Sequence, residues 1–401
     1  MINISGLDQK GVSAALFAAI PPSIAVKDVE QVVIAGILQL SVLLEVTEEI
    51  DVVELESIVE AAVTPLGMQV SFVQSNQEET ISEHRLKVTV LSAPLTADNL
   101  GLLAEAIAAA GANIDRIERI ASYPVTALEL SVSGVELLPL RSELSSLAAQ
   151  SKLDIAVQDG GINRRGRQLI VMDVDSTVIQ DEVVELLAKH AGVEDEVKRV
   201  TDAAMAGELD FEQSLRHRVR LLKGLPETIF ETVYKELRLT PGARTLCRVL
   251  SNLDYHIALV SGGFTQVVEP LGQDLGVHHI KANVLEVVDG KLTGEVLGEV
   301  VDRAGKAAAL RAFAKEHGIP LHRTIAIGDG ANDLDMLATA GLGIAFNAKP
   351  VVRNAADAAV NVPYLDSVLY FLGITRGEIE VFDAQSGRAA EYPPVNGHSH
   401  H

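Results

Sequence analysis

Three scarcities narrow the reading of this sequence before any motif is considered. Its single cysteine, Cys247, cannot form an intrachain disulfide, so a fold stapled by internal bridges is excluded. Basic residues are few: 33 Lys and Arg stand against 55 Asp and Glu, and the resulting net charge of −22 repels polyanions. No nucleic acid and no anionic membrane is therefore expected as a partner. Long apolar runs are also missing, since none approaches the roughly 18 residues that a membrane-spanning helix needs. No basic start followed by an apolar run and a small-residue cleavage site opens the sequence, and a cytoplasmic location is the expectation. The terminal Gly397-His398-Ser399-His400-His401 could bind a metal, but it reads more readily as a disordered end or a tag remnant.

What is abundant is apolar residue, 48% of a 401-residue chain, enough for the packed cores of two or three domains. Residues 1 to 75 read as a short strand, a helix from Gly11 to Ile20, two strands within Val29 to Val46, a helix from Val52 to Val63 and a strand from Met68 to Val73. The same order recurs. Leu86 to Leu91 is strand, Asn99 to Ala110 helix, Ile114 to Ala121 and Ala127 to Ser133 strands, Leu138 to Gln150 helix, and Leu153 to Val157 strand. Two βαββαβ units make a ferredoxin-like duplication, with the polar stretch Gln74 to Glu83 as the linker between them.

From residue 167 the pattern becomes apolar strands alternating with helices, which predicts a doubly wound α/β fold with a parallel sheet. Its strands are Leu169 to Met172, His256 to Val260, Thr324 to Ile327, Leu342 to Phe346 and Ala358 to Val362. Residues from about 183 to 240 are too many for a simple crossover and read as an inserted helical cap, with a helix start at Asp210-Phe211-Glu212-Gln213. Asp289-Gly290, inside a Val-rich stretch, suits a type I′ hairpin. The expected boundaries are 1–78, 79–162, 163–390 and a tail 391–401.

The candidate chemistry lies at strand ends, where open α/β sheets bind ligands. Asp173-Val174-Asp175-Ser176-Thr177 follows the first of these strands. Alternation puts Asp173 and Asp175 on one side of an extended chain, about 6.6 Å apart, so that one acid can attack a phosphorus while the other protonates the departing oxygen. Read alone, the segment is equally a helix-capping turn. Ser261-Gly262-Gly263 offers a hydroxyl and backbone N–H groups to a phosphate, or is an ordinary turn. Gly328-Asp329-Gly330-Ala331-Asn332-Asp333 groups hard oxygen donors of the kind Mg²⁺ takes, or again caps a helix. Lys306, at the start of a helix read from Ala307 to Glu316, is a cation where helices prefer negative charge, and an anion beside it would resolve the conflict. The joint occurrence carries the argument.

Together these four segments resemble the motifs of haloacid-dehalogenase-superfamily phosphatases. Glu182, Met205, Phe211 and Arg218, with the runs Phe211-Glu212-Gln213-Ser214-Leu215 and Gly341 to Pro350, are similar to the substrate elements of its phosphoserine phosphatases, and the likeness spans about residues 167 to 380. The N-terminal repeats resemble ACT modules, as in the longer mycobacterial-type members. The resemblance implies a HAD-like sheet with a helical cap, preceded by two ACT domains.

It also implies roles. Asp173 would be the nucleophile and Asp175 the acid and then the base; Asp173, the Asp175 carbonyl and Asp329 would hold Mg²⁺. Ser261, Gly262, Gly263, Lys306 and Asn332 would hold the phosphoryl group, with Asp333 behind them. Glu182 would meet the ammonium and Arg218 the carboxylate of phosphoserine, under Met205 and Phe211 as an apolar lid. Gly6-Leu7-Asp8-Gln9-Lys10-Gly11 is similar to an amino-acid-binding ACT loop, which makes serine the expected effector through Asp8 and Gly11. The second module has Ser92-Ala93-Pro94-Leu95 there instead, and Asn113 where the first module has Asp28. ACT modules also imply a homodimer. Two rivals stay open, a phosphatase of the same superfamily for another small phosphomonoester and an amino-acid sensor that has lost catalysis.

Overall fold

The computed structural model describes residues 1–385 except 48–49, 75–85, 152, 162–163, 165 and 206–208. The tail and all of the expected linker except Gln74 lie outside them. The chain divides into two compact units, Met1–Ile81 and Ser82–His401.

In the first unit, strands β1 (Ile2–Leu7), β2 (Ala25–Ile34), β3 (Ile37–Glu45) and β4 (Gln69–Phe72) form an antiparallel sheet in the order β2-β3-β1-β4. Alternation decides which face is buried. Ile2 and Ile4 of β1, with Leu38, Leu40 and Val42 of β3, point to one face and pack beneath Val12 and Leu16 of the helix Val12–Ala19 and Leu55, Val59 and Val63 of the helix Val52–Val63. Each such side chain, fully buried, contributes roughly 1.5–3 kcal/mol. On the other face Ser41 donates to Asn3 across the strands at 2.8 Å. Asp51 caps the second helix by accepting the N–H groups of Val53 and Glu54.

The second unit opens with the same motif: β5 (Leu86–Ser92), β6 (Asn113–Ala121), β7 (Thr126–Ser133) and β8 (Asp154–Asp159), in the order β8-β5-β7-β6. Both repeats place a bulge at the third residue of their second strand, Lys27 in β2 and Asp115 in β6. This corrects one expectation. With the bulges aligned, Asn113 corresponds to Ala25 and Asp28 to Arg116, so Asn113 does not take the place of Asp28.

The second repeat does not end at its own edge. β8 bridges antiparallel to β15 (Ala358–Val360) through Ala156 and Ala358, so the second repeat and the remaining strands of the unit form one 11-stranded sheet. Polar groups reinforce the seam: Asp154 accepts the N–H of Asn361 at 2.7 Å and its side-chain amide at 2.6 Å, and Gln158 and Arg164 both donate to the Phe371 carbonyl.

In the remainder, β9 (Leu169–Met172) is central, with parallel neighbours β10 (His256–Phe264) and β13 (Thr324–Gly328). β14 (Leu342–Phe346) and β11 (His279–Val288) flank these, and β12 (Lys291–Leu297) closes an antiparallel hairpin with β11. Asp289 (φ 51°) and Gly290 (φ 73°) make its turn, the two left-handed residues that type I′ requires. β9 is buried throughout, as a strand covered on both faces must be.

Between β9 and β10 the expected cap is present as four helices, Val183–Ala191, Glu194–Met205, Phe211–Leu221 and Ile229–Glu236, the third started by the Asp210–Gln213 capping box. Two boundaries differ from expectation. β10 continues through Ser261, Gly262 and Gly263 to Phe264, its register with β11 shifting on the way. The last long helix begins at Arg303 rather than Ala307, because Asp302 accepts the Gly305 N–H at 2.7 Å and caps it there. Among the described residues no helix is long and apolar enough to cross a membrane.

Candidate active site

The carboxyl ends of β9, β10 and β13 meet below the cap around a cavity of about 580 Å³ lined by Asp173, Asp175, Glu182, Phe211, Arg218, Gly262, Gly263, Asp329 and Asn332, together with Leu209, Ser214 and Lys349. Most of the side chains expected from sequence are thus brought to one place. Lys306, Asp333 and Ser261 stand directly behind it. The side chain of Met205 lies outside the described residues.

Asp173 leaves β9 with an extended backbone (φ −65°, ψ 160°), and Asp175 is extended too (φ −62°, ψ 132°) before Ser176 turns left-handed (φ 57°). The two-residue spacing therefore holds, and both acids reach the cavity. A wide turn follows, closed by the Ile179 N–H on the Val174 carbonyl at 3.0 Å. Among the described residues, the contacts of the Asp173 carboxylate fall on Oδ1, from the Val174 N–H at 2.8 Å and Lys306 Nζ at 2.6 Å. Asp175 accepts the Val183 N–H on Oδ1 at 2.8 Å and the Ser261 hydroxyl on Oδ2 at 2.9 Å. It therefore caps the first cap helix and is tied at once to the cap and to β10.

Lys306 is fully buried and bridges Asp173 and Asp333, the latter at 2.7 Å. The expected anion beside it is supplied by two carboxylates. Asp333 is also fully committed, with Oδ1 on Lys306 and Oδ2 on the Gly330 N–H at 2.9 Å. The glycines here are steric requirements: a Cβ on Gly328 would stand 2.4 Å from the Asp333 carboxyl carbon, and one on Gly263 would stand 2.8 Å from Asp175 Oδ2.

Charge is badly balanced in this space. Burial, then the Asp333 charge, push the Asp173 carboxyl well above the usual range despite Lys306. Burial also raises Asp175. Burial and Asp333 push Asp329 up to about 6, and burial with the Asp175 charge pushes Glu182 up to about 7. For Lys306, burial alone would lower the pKa, but Asp173 and Asp333 more than reverse it. Arg218 is lowered by burial, an effect that Glu182 partly offsets.

Asp173, Asp329 and Asp333 each offer an oxygen to a common point, all within 4.8 Å of one another. Hard carboxylate oxygens and a surplus of buried negative charge are what a small divalent cation such as Mg²⁺ requires. The residues fit that ion, with Asp333 better suited to holding Lys306 and Gly330 in place than to serving as a ligand.

Two positioning residues were not assigned from sequence. Thr177, fully buried, donates to Asp329 Oδ1 at 3.2 Å. Asn283 donates to the Gly262 carbonyl and accepts the Val301 N–H, both at 2.8 Å, and so fixes the glycine segment of β10. A polar residue inside the Val-rich strand β11 was the available signal for Asn283. In the first unit, Gly11 is left-handed (φ 98°) with open space around it, and the Asp8 N–H donates to the Gly36 carbonyl at 2.9 Å. Asn113 donates to Asp115 at 2.9 Å.

Comparison with known proteins gives three matching family models: a haloacid dehalogenase-like hydrolase over residues 170–338, and ACT domains over residues 82–158 and 1–73. The chain is 53% identical over 399 residues to a phosphoserine phosphatase of Streptomyces coelicolor, covering 98% of this chain and 96% of that one. It is 47% identical over 389 residues to the phosphoserine phosphatase SerB2 of Mycobacterium tuberculosis, covering 96% and 95%. Among solved structures it resembles the unliganded probable phosphoserine phosphatase of Vibrio cholerae, with a TM-score of 0.56 and 36% identity over 76% of this chain and 89% of that one.

Proposed function

Since this chain belongs to the phosphoserine phosphatase family of haloacid dehalogenase-like hydrolases with two ACT domains, we propose that it hydrolyses O-phosphoserine to serine and phosphate through an aspartyl-phosphate on Asp173. The observation that carries the substrate is the pair Glu182 and Arg218. Both are largely buried and line the cavity that holds Asp173, yet among the described residues no ion pair joins them. Two opposite charges that leave each other unpaired in a cleft suit a zwitterion, Glu182 meeting its ammonium and Arg218 its carboxylate. Phe211 covers the phosphate end, its ring 3.0 Å from where a Cβ on Gly262 would be.

In the first step the Asp173 carboxylate attacks phosphorus, the bond from phosphorus to the seryl oxygen breaks, and Asp175 gives its proton to that oxygen. The raised pKa of Asp175 keeps a proton available for this. In the second step Asp175, now ionised, takes a proton from water as the water oxygen attacks phosphorus. The bond to Asp173 breaks and phosphate leaves. Lys306, Ser261 and the Gly262 and Gly263 segment orient the phosphoryl oxygens, with Asn332 at the rim. Asp173, Asp329 and the Asp175 carbonyl would hold Mg²⁺, which when bound would supply charge neutralisation on the phosphoryl group. Phosphate release from phosphoserine with and without Mg²⁺, set beside other small phosphomonoesters, tests the assignment. Equal turnover of an ester with no amino-acid head would favour the broader superfamily reading.

The N-terminal unit supports a regulatory role. Free serine is the proposed effector, at the loop carrying Asp8 and Gly11, while Asn113 of the second module stands at a different register position from Asp28. The exposed Val26, Val29, Val32, Val33 and Ile34 on edge strand β2 support a homodimer. Serine titration of the intact protein against Gly11→Val, followed by sizing and by activity, tests both.

A further inference from the structure

At the opposite end of the strands from the cavity, three histidines converge. His256 opens β10, His279 opens β11, and His317 caps the carboxyl end of the helix Arg303–Glu316. Each offers a ring nitrogen, and these lie within 4.8 Å of one another. The rings of His256 and His317 stack at 3.9 Å, and His279 meets His317 edge-on at 4.5 Å. Among the described residues, Nε2 of His317 is buried without a hydrogen-bond partner. A buried polar atom left unpaired costs free energy, and an imidazole nitrogen with an unused lone pair can spend it on a metal.

We infer that His256, His279 and His317 form a site for a borderline divalent transition metal, Zn²⁺ being the ion that three imidazoles suit best. Such ions bind histidine nitrogen at about 2.0–2.1 Å in tetrahedral geometry, and three protein ligands leave a fourth position for water. The rings are half-buried, and coordination would require the stack to tilt. The site is remote from the carboxylates of the cavity and differs from them in donor chemistry. His256 precedes Ser261 by five strand positions, roughly 16 Å, and His317 follows Lys306 by eleven helical positions, again roughly 16 Å. A metal there would clamp the far ends of the two elements that carry Ser261 and Lys306.

The test uses the full chain, with His398, His400 and His401 replaced by alanine so that the tail cannot compete, after chelation and in excess Mg²⁺ to fill the carboxylate site. Zn²⁺ is then titrated, with bound metal and melting temperature as readouts. One Zn²⁺ per chain and a higher melting temperature are expected. His317→Gln and His279→Gln should each weaken binding by more than about 100-fold, beyond the loss typical of a residue that only supports a ligand, while Asp329→Asn should bind Zn²⁺ unchanged. Should either glutamine variant unfold, Co²⁺ absorption in the unmutated histidine cluster decides, since nitrogen-ligated tetrahedral Co²⁺ gives visible bands that carboxylate-bound octahedral Co²⁺ lacks at that intensity. Zn²⁺ binding that survives both histidine variants, that disappears with Asp329→Asn, or that is absent altogether would overturn the inference, as would octahedral Co²⁺ alone.

Discussion

The molecule contains two buried ionic triads of opposite composition. Behind the cavity one cation, Lys306, serves two acids, Asp173 and Asp333; at the seam of the second repeat one acid, Glu129, serves two cations, Arg164 at 2.6 Å and Lys87 at 2.8 Å. Their acids respond in opposite directions. Asp173 is held well above the usual carboxyl range by burial and Asp333, whereas burial alone would raise Glu129 but Arg164 and Lys87 outweigh it and hold it below. The sign of the neighbouring charges sets the direction, and the two triads differ as well in access to water. The surplus cation at the seam is Lys87, whose side chain is 25% exposed, while no member of the other triad is more than 5% exposed. Solvent completes one triad, and the other is completed by what binds it.

Substitution at Asp173 should separate the two most sharply. Asp173→Asn removes the proposed nucleophile and an uncomfortable charge at nearly constant volume, so kcat should fall by more than about 10⁴-fold while the melting temperature holds or rises. Phosphate release and thermal unfolding measure both. At the seam the signs reverse. Arg164→Ala strips Glu129 of its closest partner and the Phe371 carbonyl of a donor, and should destabilise by about 3–5 kcal/mol, with kcat/KM per folded molecule unchanged. If Asp173→Asn proves as destabilising as Arg164→Ala, the active-site triad is structural after all and the contrast collapses.

The contrast also marks what sequence could show. Asp173, Asp175, Ser261, Lys306 and Asp329 were legible because each lies close to the end of a regular element, and strand ends of a parallel sheet converge. Two repeats were legible because hydrophobic periodicity is local. The joining of their second sheet to the catalytic one was not, since Ala156 opposite Ala358 is a pairing across some 200 residues with no local signal. Nor was the burial of Glu129. It occupies the polar side of an alternating strand, Thr-Ala-Leu-Glu-Leu-Ser-Val-Ser, and only the seam covers that side. The Lys306 anomaly called for an anion, and sequence could not show that two carboxylates, brought from the ends of β9 and β13, stand beside it.

A smaller effect tests the unpaired charges of the cleft. Arg218→Ala should raise KM for phosphoserine ten- to a hundredfold, the about 1.5–3 kcal/mol of a hydrogen bond to a charged group, and leave phosphoethanolamine, which has no carboxylate, nearly untouched. Steady-state kinetics on both esters would show it. An equal penalty on both would move Arg218 into the phosphate-binding set and remove the main support for an amino-acid substrate.

The smallest expected effect asks whether a cation, rather than protein, finishes the acidic triad. Asp329 ordinarily titrates near 3.8 and is pushed up to about 6 here; Glu182 moves from 4.5 to about 7. Between those limits the folded chain holds protons that the unfolded chain has released. Stability without metal must therefore fall as pH rises, first through the Asp329 window and then through that of Glu182. A divalent cation bound to the ionised Asp329 removes the first part of that slope. The difference in melting temperature with and without Mg²⁺ should thus widen from about pH 5 to about pH 7.5, because binding to the native state alone raises stability in proportion to its affinity. The two acids can be told apart. Asp329→Asn should abolish most of the Mg²⁺ difference and flatten the lower part of the metal-free slope, whereas Glu182→Gln should flatten the upper part and leave the Mg²⁺ difference in place. A Mg²⁺ effect that is independent of pH, or that survives Asp329→Asn intact, would mean that the cation acts elsewhere and that Lys306 alone balances the carboxylates around it.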